Sequence, residues 1–196
     1  PPADGIGRLP NLSKEQREVE TRFADDYLAD PGKYVDKYAK ALVKGKVGVA
    51  SNVYATDDVK MLNRDWNPGK AKAGEELSEE NKEAMAAYNT AVHQTANAIA
   101  KKAFLGKMDE MTALPDGHPK KSVLVTNGGC AAGKGSTLTR AADPDSPYHG
   151  MISAADQVGA VWDAAGEQNA TENEWVLTEC EKRGIKPTFA YVWADP

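Results

Sequence analysis

The pattern of apolar positions divides this chain into a helix-rich first part and a second part in which strands alternate with helices. Val19, Phe23, Tyr27 and Leu28 fall on one helical face, and Ser13 with Gln16 three residues on forms a capping box that starts that helix. Asp30-Pro31 opens a second helix, with Pro31 at the first helical position, where its missing N–H costs nothing. Tyr34, Val35, Tyr38 and Leu42 line one face of it and Gly45 stops it, so the two predict a helical hairpin. Val47, Val49, Val53 and Tyr54 then lean towards strand, and Asp57-Asp58 stands where a short helix can begin. After a loop around Pro68, Ser78 caps a long helix whose first turn holds Glu79 and Glu80, favourable against the helix dipole. Met85, Tyr88, Val92, Ile99 and Ala103 give that helix its stripe, and Gly106 is where it is expected to break.

"LPDGHP" is a turn cluster, and beyond it lies an apolar strand over 122–126, a glycine-rich loop and a helix from Lys134 to Ala142. Val158 to Trp162 reads as a buried strand ending at Asp163. Thr171 with Glu174 is a capping box for a helix that Gly184 stops, and "TFAYVWADP" is a further buried strand. Continuous apolar strands alternating with helices predict an α/β fold with a parallel sheet flanked by helices. The expected organisation is a helical region over 1–45 followed by that core over 46–196, with no internal repeat.

Composition narrows the classes. At 196 residues, 41% hydrophobic and 27% charged, the chain can bury a sizeable core. No apolar run approaches the roughly 20 residues of a membrane span, so no membrane partner is expected. Net charge is −5, and the lysines are interspersed with acids, so the basic face of a nucleic-acid binder is not expected either. Cys130 and Cys180 are far apart and make no metal or disulfide pattern, which fits a reducing, cytoplasmic setting. A proline-rich start without Met reads as a trimmed chain or an internal piece of a longer protein.

The chemistry concentrates in "SVLVTNGGCAAGKGSTL". Gly128, Gly133 and Lys134 satisfy G-x-x-x-x-G-K, in which backbone N–H groups cradle phosphate oxygens, the following helix presents its positive end and the lysine reaches the outer phosphates. The cradle would comprise Gly128, Gly129, Cys130, Ala131, Ala132, Gly133, Lys134 and Gly135. A glycine-rich turn gives the same letters, but the strand before and the helix after supply the setting that a phosphate loop requires. Gly135 stands where Ser or Thr usually follows the lysine. Ser136 is then the candidate Mg²⁺ contact, with Thr137 beside it and Arg140 two turns along and able to turn towards phosphate. Asp163, at an adjacent strand end, is placed to organise Mg²⁺ and its waters, or simply to cap a turn.

The G-K-G-S ending resembles nucleoside monophosphate kinases. "NGGCAAGKGS" followed by "VGAVWDAAGEQNATENEWVLTECEKRGIKPTFAYVWADP" resembles the core of zeta-toxin-like kinases, with the phosphate loop the only highly specific motif. The resemblance implies a kinase using ATP (or GTP) with Mg²⁺ to phosphorylate a hydroxyl of a nucleotide, nucleotide sugar or similar small acceptor. Such kinases have a further strand and helix between the phosphate-loop helix and the next core strand, and the gap here is too short for them. "NVYATDDVKML" resembles that missing segment, which implies a permuted core. Asp57 then matches the base that activates the acceptor hydroxyl, and Lys60 its basic neighbour, although Asp57 also reads as a helix N-cap. The family's arginine lid would follow the last strand, so a C-terminal segment or a protein partner is expected to complete the domain. A non-catalytic ATP-binding module and an NTPase within a larger assembly are the alternatives. His93 is a helix-packing or acceptor-site residue, Trp66 a candidate for ligand stacking, Trp162, Trp175 and Trp193 packing residues, and Arg183 a surface residue that satisfies a helix end.

Overall fold

A computed structural model describes residues 6–128, 134–147, 149–150, 154–164 and 169–192. Six α-helices and four strands are assigned among them: α1 (Lys14–Ala29), α2 (Pro31–Val43), β1 (Val53–Tyr54), α3 (Thr56–Lys60), α4 (Glu79–Met111), β2 (Ser122–Asn127), α5 (Lys134–Ala142), β3 (Ala160–Asp163), α6 (Asn169–Arg183) and β4 (Lys186–Tyr191). They group into two compact units. One comprises residues 1–48 and 56–103, the other residues 49–55 and 104–196, so α4 contributes to both. No helix among the described residues is long and apolar enough to cross a membrane.

In the first unit, local chemistry sets the helix ends. Ser13 Oγ accepts from Gln16 N at 3.1 Å while Gln16 Oε1 accepts from Ser13 N at 3.0 Å, closing the capping box. Asp30 Oδ1 accepts from Lys33 N and starts α2 with Pro31 at its first position. The hairpin buries Val19, Phe23, Tyr27, Tyr38 and Leu42, whereas Leu28, expected on the apolar stripe, lies on the solvent side. Tyr34 meets the rings of Phe23 and Tyr27 edge-on at centroid distances of 5.9 and 6.2 Å. Glu20 is buried, but its carboxylate accepts from Leu9 N and from Arg17.

The second unit is an α/β structure around a four-stranded, all-parallel sheet of order β1-β3-β2-β4. Helices cover both faces. Leu138 of α5 packs with Val53, Leu124, Val158, Val161 and Ala190. On the other face Phe104 of α4 touches Tyr54, Trp162 and Trp175, at ring-centroid distances of 5.7, 5.2 and 5.9 Å. Trp162 and Trp175 are thus packing residues. Arg183, expected as a surface residue, ties α6 to α4 through an ion pair to Asp109 (2.7 Å), while Glu179, one turn back in α6, holds the same guanidinium (2.6 Å).

Four local expectations are corrected. Gly106 does not break α4, which runs to Met111, because apolar contacts at Phe104, Met108 and Met111 on either side hold the backbone helical. The strand around Val47 and Val49 shrinks to Val53–Tyr54, the residues there that pair in register with β3. Helix α6 begins at Asn169, so Thr171 lies inside it and not at its cap. β4 is an edge strand, paired only with β2 among the described residues, and half of its residues are exposed; positions 193–196 of the expected strand lie outside the described residues.

Two glycines generate opposite predictions. A Cβ at Gly106 meets nothing within 4 Å, whereas one at Gly159 would lie 2.1 Å from Lys120 O and 2.6 Å from Met111 Cε. Gly106→Ala should therefore raise the unfolding free energy by about 0.5–1 kcal/mol through helix propensity. Gly159→Ala should lower it by about 2 kcal/mol or more by forcing backbone apart. Urea unfolding of the two variants beside the parent checks both.

Candidate phosphate-loop site

The site grows out of β2. Its Val123, Leu124 and Val125 have no exposed surface, and as an interior parallel strand it is paired on both edges. The chain leaves β2 for β3 on one side and returns through α6 to β4 on the other. The carboxyl end of β2 is consequently a topological switch point, where open α/β sheets bind ligands.

Polar groups begin at that end. Register pairs Thr126 with Asp163, and Thr126 Oγ1 donates to Asp163 Oδ1 at 2.9 Å. Gly128 has φ 151°, a conformation L side chains rarely adopt, which explains the glycine at the strand exit. Residues 129–133, the middle of the loop (Gly129, Cys130, Ala131, Ala132 and Gly133), lie outside the described residues. Lys134 opens α5 with its ammonium buried: Nζ is 3.4 Å from Gly128 O and 3.9 Å from Asp163 Oδ1. Lys134, Asp163, Thr126 and Gly128 are therefore brought together within one unit.

Along α5, Ser136 is exposed, Thr137 half-buried, and Arg140 exposed in the last turn. Gly135 is the second residue of that helix. No cluster of three or more His, Cys, Asp or Glu side chains suited to a metal occurs among the described residues.

Asp57 belongs to the first unit. It lies within the first turn of α3 and not at its cap, and its exposed carboxylate pairs with Lys60 Nζ at 2.7 Å. Lys60 is buried and also donates to Asn89 Oδ1 at 2.8 Å. His93 of α4 is half-buried beside this pair. Burial first, and then the charge of Lys60, hold its imidazole below the ordinary value of 6.5, against a smaller opposing effect of Asp57. Trp66 is buried, so its ring serves packing and is not presented for stacking.

Two residues the sequence reading did not single out matter here. Asn127, the last residue of β2, is wholly buried, and neither its amide oxygen nor its amide nitrogen has a hydrogen-bond partner among the described residues. Glu172, buried in the first turn of α6, accepts from Trp162 Nε1 at 3.3 Å. The available signals were a polar residue ending an apolar strand and an acid in a helix's first turn. Of the thiols, Cys180 is buried and pushed up to about 11 by desolvation, which marks it as structural. Compared with protein-family models and with curated proteins, the chain matches none.

Two measurements follow from these environments. The folded chain keeps His93 neutral where the unfolded chain protonates it, so its stability contribution is present above about pH 6.5 and lost as pH falls through the lowered folded value. Urea unfolding at several pH values between about 5 and 7 should therefore show a flatter pH dependence for His93→Gln than for the parent. Asn127→Leu exchanges an unpaired buried amide for an apolar group of similar shape, and should stabilise the ligand-free chain by about 1 kcal/mol in the same assay.

Proposed function

We propose that this chain is a P-loop kinase-like protein that binds ATP (or GTP) with Mg²⁺ and transfers the γ-phosphoryl to a hydroxyl of a small acceptor, in the manner of zeta-toxin-like kinases. The observation that carries the reading is the buried Lys134 ammonium at the start of α5, beside an Asp163 carboxylate held by Thr126 at the switch point of a parallel sheet.

The residues fit the ligand. Asn127 offers a buried, unpartnered donor and acceptor at the mouth of the loop. Mg²⁺ on a nucleotide keeps several waters and takes phosphate oxygens, so one or two protein oxygens suffice, and Ser136 and Asp163 are the candidates. Bound ATP with Mg²⁺ would supply the phosphoryl group and neutralise part of its charge. For its part, Lys134 would exchange its contact with Gly128 O for phosphate oxygens, and Thr126 would keep Asp163 oriented. Arg140 is the candidate for a further charge contact. The sheet order is also compatible with a permuted core: β1, which precedes the loop in sequence, joins in parallel outside β3. By the resemblance, the acceptor base falls to Asp57, three residues beyond β1. An ATP-binding module without transfer is the second outcome the test allows.

Calorimetric titration of ATP with Mg²⁺ into the chain should give micromolar binding. Lys134→Ala should lose about 1.5–3 kcal/mol of it, the worth of a hydrogen bond to a charged group. In an acceptor screen, Asp57→Ala should leave that affinity unchanged and lower transfer by about 10²–10⁴-fold. No ATP binding by the folded parent would overturn the reading, and binding with no product from any acceptor would reduce it to the module.

A further inference from the structure

The first unit contains a groove of about 1100 Å³ lined by α2 and by the 61–72 segment. Eight lysine and arginine side chains line it against two carboxylates, in a chain whose net charge is −5. Along α2 and just past its end, Lys33, Lys37, Lys40 and Lys44 recur every three or four residues and so form one stripe. Like charges at that spacing repel and cost helix stability. Local structure does not recover that cost: Lys33, Lys40, Lys44, Arg64 and Lys70 form no ion pair among the described residues.

Lys37 crosses the groove and donates to Leu62 O at 3.1 Å. Its ammonium is held below the ordinary lysine range by desolvation and then by the like charges of Arg64 and Lys33, a repulsion that a bound anion would relieve. The 61–72 wall is firmly built. Asn67 is buried, donates to Met61 O and Ala71 O, and accepts from Ala71 N. Lys70 has φ 56°, the one positive φ of a non-glycine residue among the described residues, and is exposed.

Beside these charges the lining includes apolar Ala41, Val47, Met61 and Leu62, with the amides of Asn63 and Asn67. No aromatic side chain lines the groove, so nucleic-acid bases would find no stacking surface. Such a mix of cationic and apolar lining instead complements an amphipathic helix with carboxylates along its edges and apolar anchors beneath. We propose that this groove docks an acidic amphipathic segment of a protein partner.

The probe is a fluorescein-labelled peptide with a leucine stripe flanked by glutamates at helical spacing, titrated with the full chain by fluorescence anisotropy at physiological salt. The controls are the same peptide with serine for leucine, and a labelled oligothymidylate. The acidic leucine peptide should bind saturably and about tenfold or more tighter than either control. The variant K40E/K44E/R64E, all exposed positions, should weaken it by at least about tenfold, a few rim ion pairs' worth. A circular dichroism melt checks its folding; if it fails to fold, K40Q/R64Q takes its place, with about threefold weakening expected. Absence of saturable binding, equal binding of the serine peptide, tighter binding of the oligothymidylate, or indifference to the charge changes would each overturn the proposal.

Discussion

The second unit depends on one constraint: β2 is a parallel strand buried on both faces and paired on both edges. A backbone in that position has no water to satisfy its N–H and C=O groups, so β3 and β4 must supply the partners, β3 over Val123 to Thr126 and β4 over Ser122 to Asn127. Its side chains must be apolar until the strand reaches the rim of the sheet, and there Thr126, Asn127 and Gly128 begin. Register does the rest. Because Thr126 stands opposite Asp163, the hydroxyl reaches the carboxylate, and a slip of one residue would turn Asp163 to the opposite face.

Packing on the two faces fixes that register. One is filled by aliphatic side chains around Leu138 and Val161, the other by the ring cluster of Tyr54, Phe104, Trp162 and Trp175. The cluster also explains the ends of its helices. Phe104 keeps α4 helical past the point at which its sequence permits a break, and Arg183 joins α6 to Asp109 of α4. The amide of Asn127, unpaired at both ends among the described residues, stands out against this packing, because interiors rarely leave both ends of an amide unbonded.

In the first unit, burial of charge is handled by pairing: Glu20 with Arg17, and Lys60 with Asp57 and Asn89. The basic groove shows the converse. Lysines scattered among acids along the chain are gathered by α2's helical period and by the Asn67-braced loop into one stretch of like charge. Interspersion in sequence and segregation on the surface are compatible because a helix places every third or fourth residue on one side.

What the sequence by itself determined was local. The caps at Ser13 and Asp30, the turn at "LPDGHP" and the start of α5 at Lys134 follow from residues within a few positions of one another, whose preferences act before any tertiary contact forms, and the alternation of such local elements implied a parallel sheet. The letters of the phosphate-loop motif were legible in the same way. Tertiary structure alone decided the strand order, the exposure of β4, the reduction of the 46–54 segment to a two-residue strand, the continuity of α4 through Gly106 and the meeting of Lys134 with Asp163. Each of these depends on which distant segment supplies hydrogen bonds and apolar cover, and neither is encoded in the neighbours of the residue concerned.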